Sequence, residues 1–266
     1  MSAITKHRPT SEFPELIVTV PDSWSTIKLA PLYDVHIGNI NHDAALFTKH
    51  VEWIRKTPNV LTWNGGDMIE NVTENAPGRT EQTMTPQAQI DLAKKLLKPI
   101  GHKLLFSLPG NHEDRSEKAA GLQITRWMTD DFDAPFFPDY CFCTIKWRGN
   151  NFRILAHHGS GSATTAGAQR MAARKALSWA KVFDLCWTGH LHNPLADMLY
   201  QTDFDQRTGT MYERGGVVMI SPSYLKYFGS YAAKKQYSPG TRGLAVVELQ
   251  ADGRMDVSVH AVGRRL

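Results

Sequence analysis

Short apolar runs alternate with amphipathic stretches along most of the chain. Runs rich in β-branched and aromatic residues, bounded by Gly, Pro, Asn or Asp, predict strands. They fall at residues 16–20, 26–32, 60–63, 103–108, 141–147, 152–156, 182–187, 216–220, 244–249 and 255–262. Helical periodicity fills several of the gaps. Asp43 is placed to cap a helix running to about Lys56, and Thr85 followed by Pro86 starts one ending near Lys98. Two more helices are expected over 118–130 and 165–180. Strands separated by helices in the first two-thirds suggest a largely parallel sheet, and the last fifty residues suggest an antiparallel closing portion. The expectation is an α/β chain with two packed, mixed sheets and helices outside. Residues 1–14 read as a loose lead-in. No linker-like composition divides the rest, so 15–266 is taken as a single domain. Residues 71–85 and 226–242 are polar and turn-rich. The second stretch mixes Tyr227, Phe228, Tyr231 and Tyr237 with Lys226, Lys234 and Lys235, and both read as surface loops.

Composition narrows the class only a little. Over 266 residues, 42% are hydrophobic and 21% charged, which suits a soluble domain with a real core. The net charge of +4 suits a phosphate-bearing substrate but singles out no partner. Three cysteines, Cys141, Cys143 and Cys186, are too few for a disulfide framework and are read as packed thiols. The N-terminus lacks the apolar stretch of a signal peptide, and no apolar run reaches the ~18 residues of a membrane span. A cytoplasmic protein without membrane contact is expected.

Candidate chemistry changes the picture far more. Five clusters each follow a predicted strand: Asp34-x-His36 with Gly38, Gly65-Gly66-Asp67, Gly110-Asn111-His112-Glu113, His157-His158-Gly159, and Gly189-His190-x-His192. Ligands of open α/β sheets bind at the carboxyl ends of strands, so parallel strands would gather all five at one edge. Asp34 and His36, like His190 and His192, would share a side on extended backbone. Asp67 offers two oxygens and is able to bridge two cations. A mixed oxygen and nitrogen set without thiolate suits Mn²⁺, with Fe, Zn²⁺ or Ni²⁺ as alternatives. Each cluster alone is weak; the ordered set is a strong signal.

The series Asp34-x-His36, Gly66-Asp67, Gly110-Asn111-His112-Glu113, His157 and Gly189-His190-x-His192 resembles the calcineurin-like metallophosphoesterase superfamily. The resemblance covers about residues 27–193 and implies a double β-sandwich flanked by helices. It implies that Asp34, His36, Asp67 and His192 hold one divalent metal ion, and that Asp67, Asn111, His157 and His190 hold a second. His112 would be the acid near the leaving group, oriented by Glu113. Of the adjacent pair, His157 is favoured as the ligand because it comes first past the strand. His158 and Glu113 stand as further candidates.

Two such cations would clamp a phosphate and share a bridging hydroxide as nucleophile. The 159–167 segment, rich in Gly, Ser and Thr, reads as a helix-capping loop or a contact to phosphate oxygens. Arg170, Arg174 and Lys175 read as a solvated helix face, with a contact to substrate as the alternative. Protein Ser/Thr phosphatases of the superfamily usually carry Gly-Asp-x-x-Asp-Arg-Gly, whereas here the run is Gly66-Asp67-Met68-Ile69-Glu70-Asn71-Val72. The arginine is missing, and so is the tyrosine of the purple acid branch. Asp34-Val35-His36-Ile37-Gly38 is similar to the first motif of the superfamily's repair nucleases. A phosphodiesterase acting on a nucleotide or nucleic acid is therefore expected, with the 226–242 loop read equally as a platform for stacking bases or as a packed edge of the second sheet. A phosphomonoesterase for a small metabolite and a non-catalytic metal-binding scaffold are the alternatives.

Overall fold

The computed structural model describes residues 4–73, 78–180, 183–236 and 239–261. Val182, Tyr237 and Val262, expected in a strand, a loop and a strand, lie outside them, as do residues 74–77 of the first polar loop. In chain order the strands are β1 (Thr5–His7), β2 (Glu15–Thr19), β3 (Thr26–Leu29), β4 (Val60–Asn64), β5 (Leu104–Ser107), β6 (Tyr140–Trp147), β7 (Asn150–His157), β8 (Leu185–Thr188), β9 (Leu195–Asp205), β10 (Thr210–Ile220), β11 (Gly243–Gln250) and β12 (Met255–Ala261). The α-helices are α1 (Ala44–Lys56), α2 (Pro86–Leu97), α3 (Asp114–Ala120), α4 (Ile124–Thr129), α5 (Ala166–Ala173) and α6 (Tyr231–Lys234).

The strands form two mixed sheets, in the orders β1-β2-β6-β7-β8-β10-β9 and β12-β11-β3-β4-β5. Between the named strands, the parallel pairs are β3-β4, β4-β5, β2-β6, β7-β8 and β8-β10. The expected parallel sheet is therefore split between two sheets. The two share one core: Ile27, Leu29, Trp63 and Phe106 of the smaller sheet meet Cys141, Cys143, Ile154 and Trp187 of the larger. Trp63 stacks on Phe106 at 5.3 Å and meets Trp187 edge-on at 5.3 Å. Its indole N–H donates to the Tyr33 hydroxyl, which in turn donates to the Trp187 carbonyl, so both polar tips are satisfied. Outside the smaller sheet, Phe47, Val51 and Ile54 of α1 and Ile90, Ala93 and Leu97 of α2 cover Val60 and Leu104. Outside the larger sheet, Ala173 of α5 and Ala176 cover Leu155, Cys186 and Val218. The chain is thus an α/β protein in four layers. Among the described residues, no helix is long and apolar enough to cross a membrane.

The caps of α1 and α2 lie where expected: the Asp43 and Thr85 side chains accept from the Leu46 and Ala88 N–H groups. Four local expectations need correction. The lead-in is not loose throughout, because Thr5–His7 pairs antiparallel with β2. The 118–130 helix is two helices, split at Gly121, which takes the left-handed conformation (φ 67) that ends α3. The 165–180 helix tightens into a 3-10 segment at Arg174–Ser178. The 226–242 stretch includes the short helix α6.

Candidate metal centre

The five loops that follow β3, β4, β5, β7 and β8 meet at one edge of the paired sheets. Backbone bonds continue the sheet into them: the Asp34 N–H donates to the Gly66 carbonyl at 3.1 Å, His36 to Asp67 at 3.0 Å, and Gly189 to His158 at 2.8 Å. The chain then turns sharply. Asp34, His36, Asp67, His190 and His192 all have left-handed backbone, with φ of 50, 54, 51, 67 and 56°. Asp and His tolerate that region better than most residues, yet each such residue costs ~1–3 kcal/mol. This also corrects the extended geometry expected for Asp34-x-His36 and His190-x-His192. The alternation survives because Val35 and Ile37 turn into the core while their neighbours turn out. Two glycines are demanded by this closeness. A Cβ at Gly110 would lie 2.1 Å from Asp67 Oδ1, and one at Gly189 would lie 2.5 Å from Asp34 Oδ2.

One half of the cluster is Asp34, His36, Asp67 and His192, whose candidate ligand atoms all lie within 4.8 Å of one another. His192 Nε2 is 3.2 Å from Asp34 Oδ1 and 3.3 Å from His36 Nε2, and His36 Nε2 is 3.9 Å from Asp67 Oδ2. The other half is Asp67, His158 and His190, with Asn111 between them. His158 Nε2 is 3.2 Å from Asp67 Oδ2 and 3.3 Å from Asn111 Oδ1, which is 2.7 Å from His190 Nδ1. Asp67, 1% exposed, stands in both halves.

His158, not the favoured His157, enters the cluster. β7 runs through His157, so the pleat turns that ring to the outer face, against Tyr140 and 3.9 Å from Cys186 Sγ. The next residue, His158, points back between the sheets.

The far side of each ring decides what its near side is able to do. His36 Nδ1 lies 2.9 Å from Glu70 Oε2, His158 Nδ1 lies 2.9 Å from the Gly65 carbonyl, and His190 Nε2 lies 2.7 Å from the Gly161 carbonyl. Each of those oxygens only accepts, so each ring places a proton there and turns its other nitrogen on the cluster. The inward lone pairs then face carboxylate, amide and imidazole lone pairs at 2.7–3.9 Å. Such a set needs positive charge among its atoms, as extra protons or as cations. The charges say the same. Burial opposes the His158 imidazolium, yet Asp67 and Asp34 hold its pKa up at about 10. Burial likewise opposes the His36 imidazolium, yet the Glu70 bond and the nearby carboxylates raise its pKa to about 9. Burial also disfavours the Asp67 carboxylate, yet His158 and His112 hold its pKa well below the usual range. The donors are oxygen and imidazole nitrogen, with backing groups of the kind that orient metal-bound histidines. Each half has the donor chemistry to hold a metal ion, and Asp67 belongs to both.

Glu70 plays a part that the sequence reading missed. It also groups with His36 and His112 as a possible cation site. A neutral His36 has only one lone pair, however, and that one faces the main cluster. Glu70 is therefore the carboxylate behind His36; an acid three residues after Asp67 was the available signal.

His112 and Glu113 depart from their expected roles. His112 Nδ1 lies 2.6 Å from the Glu70 carbonyl oxygen and Nε2 lies 3.1 Å from Arg115 Nη2. A carbonyl only accepts and a guanidinium only donates, so the His112 proton sits on Nδ1 and Nε2 is an acceptor. In this arrangement Nε2 has no proton to give. Burial lowers the His112 pKa to about 4, in keeping with a neutral ring. Glu113 does not touch that ring. Its carboxylate accepts from the N–H groups of Asp67, Gly110 and Ile69 and so clamps two loops together. Thr165 caps α5, as the helix-capping reading has it. Arg170 and Arg174 both pair with the buried Asp197, so they are anchored rather than merely solvated.

No protein-family model and no curated protein matches the chain. Among solved structures, a hypothetical protein from Pyrococcus horikoshii aligns over 89% of this chain and 88% of its own, at 13% identity and a TM-score of 0.39.

Proposed function

We propose that this chain is a metal-dependent phosphoesterase of the calcineurin-like kind, most readily a phosphodiesterase acting on a nucleotide or nucleic acid. The observation that supports it is the inward convergence of lone pairs from Asp34, His36, Asp67, Asn111, His158, His190 and His192 on strained strand-end loops. The two facing sheets with outer helices agree with the double β-sandwich that the motif series implies. In this reading Asp34, His36, Asp67 and His192 hold one cation, and Asp67, Asn111, His158 and His190 hold the other. The cations would supply Lewis acidity towards phosphoryl oxygens and a water acidified to neutral pH. The chain's own contribution is positioning. Glu70, Gly65 and Gly161 fix three imidazoles from behind, and Glu113 ties the Asp67 loop to the Gly110 loop. His112, an acceptor at Nε2, is assigned an orienting part in place of proton donation.

The test is metal analysis of the purified protein beside hydrolysis of bis-p-nitrophenyl phosphate in Mn²⁺. Wild type is expected to take up two cations per chain and turn over the diester faster than the monoester. Asp67→Asn keeps the side-chain shape but removes the shared charge. Since such cations are worth several kcal/mol, turnover should fall on the order of a thousand-fold. Wild-type protein that takes up no divalent ion would end this reading.

A further inference from the structure

His112 and Arg115 form a locked pair at the edge of the cluster. Both donate to the same Glu70 carbonyl oxygen, His112 through Nδ1 at 2.6 Å and Arg115 through Nη1 at 2.9 Å. The second guanidinium nitrogen, Nη2, then donates to His112 Nε2 at 3.1 Å. His112 Nε2 is itself 3.9 Å from Asp67 Oδ2, the oxygen that both halves of the cluster face. The guanidinium is thereby fixed about one ring away from the shared carboxylate. Among the described residues, Arg115 forms no ion pair with a carboxylate, and the nearby Glu70 and Asp67 face His36, His112 and His158 instead. A guanidinium held only by a carbonyl and an imidazole keeps its full charge for an incoming anion.

The neighbouring loop explains why that charge comes from here. Asn71, at the point where a Gly-Asp motif might carry an arginine, is turned away. Its amide donates to the His112 carbonyl at 2.6 Å and to Ser116 Oγ at 2.9 Å. It thus buttresses the turn that leads into α3, the helix on which Arg115 sits. The sequence element that lacks a cation supports the element that carries one.

We propose that Arg115 is the residue that grips the phosphate ester. Its guanidinium contacts a non-bridging oxygen of the phosphoryl group at the cluster, and His112 is the post that holds it in place. This rests on the phosphoesterase reading. A planar guanidinium matches phosphate oxygens better than an ammonium does, so Lys should replace it only in part.

The test uses the full chain loaded with Mn²⁺ and inorganic phosphate as the probe. Phosphate binding is followed by titration calorimetry, beside metal content and KM for bis-p-nitrophenyl phosphate. Arg115→Ala should keep wild-type metal content and weaken phosphate binding roughly ten- to a hundred-fold, the usual size of a charge-assisted bond. KM should rise with it, and Arg115→Lys should recover part of the loss. If His112 acts through Arg115, His112→Ala combined with Arg115→Ala should weaken phosphate binding no more than Arg115→Ala alone. Phosphate binding by Arg115→Ala at wild-type strength would overturn the proposal while leaving the phosphoesterase reading standing. So would loss of metal from that variant, which would make Arg115 a structural support. A metal-loaded wild type that neither binds phosphate nor cleaves the diester would instead defeat the phosphoesterase reading, and Arg115's role with it.

Discussion

The strand-end loops and the β9–β10 hairpin treat polar and apolar groups in opposite ways. In the loops, Asp34 and Asp67 are 0% and 1% exposed, surrounded by imidazoles, on residues with left-handed backbone. In the hairpin, eleven residues of β9 pair with eleven of β10 in unbroken antiparallel register. There Tyr200 is 79% exposed, Met211 63%, and Met198 and Phe204 52% each. The loops thus bury charge on strained backbone, while the hairpin leaves apolar side chains in water on relaxed backbone. Neither choice favours folding by itself. The difference teaches where the chain tolerates cost: buried carboxylates and strained backbone gather at the candidate site, the place where function rather than folding would call for them.

The largest effect is expected where a single residue step crosses from one regime to the other. His157 and His158 are adjacent, yet one faces the outer helical layer and the other the cluster. His158→Ala should remove one of the two cations and lower diester turnover on the order of a thousand-fold. His157→Ala should keep both cations and near-normal turnover, at a cost of about 1–3 kcal/mol from lost packing, a drop of several degrees in Tm. Metal content measured on both variants decides it, and equal loss in the two would erase the distinction drawn between them.

A smaller effect should appear when protons take the place of cations. The pKa values of His36 and His158 are raised to about 9 and about 10. A group raised in the folded state stabilises the fold fully below its ordinary value near 6.5 and loses that contribution as pH climbs through the raised values. Protein stripped by a chelator should therefore melt at progressively lower temperature from neutral pH to about pH 10. Metal-loaded protein should lack most of this slope, and adding Mn²⁺ to stripped protein near pH 7 should release protons. Scanning calorimetry across pH with and without chelator makes the comparison. Parallel curves would mean that the rings are not exchanging protons for metal.

How much of this was legible beforehand follows from what each feature depends on. Asp34, Asp67, Asn111 and His190 were readable because each follows an apolar run and a turn residue, and parallel pairing does the rest. The caps at Asp43 and Thr85 were readable for the same local reason. The choice between His157 and His158 turned on whether β7 ends before or after His157, a one-residue matter that reverses the facing of every side chain. The β9 strand and the outer half of β10 escaped notice because their apolar residues face solvent, so no buried stripe marks them. Gly121 ending α3 is a conformational event that a helical pattern running through it conceals. Arg115 and Glu70 were invisible as site residues because their parts lie in contacts across the fold: Arg115 reaches the carbonyl of residue 70, and Glu70 reaches the ring of His36.

The smallest effect belongs to the hairpin, and its smallness is what the contrast requires. Tyr200→Thr with Phe204→Thr puts strand-favouring β-branched residues in β9 and removes two exposed rings. Stability should change by no more than about 0.5 kcal/mol, roughly 1–2 °C in Tm, with metal content and turnover unaltered. The connection to the cluster runs elsewhere. Val217–Ile220 of β10 pair with β8, which leads into Gly189 and His190. On β9, buried Asp197 holds Arg170 and Arg174 at the end of α5, and the loop before that helix carries the Gly161 carbonyl against which His190 rests. Asp197→Asn should therefore lower metal affinity modestly although it sits on the same strand as Tyr200. If the double threonine variant lost metal and Asp197→Asn did not, the route from hairpin to cluster would have to run through the exposed rings, and the division between the two regions would fail.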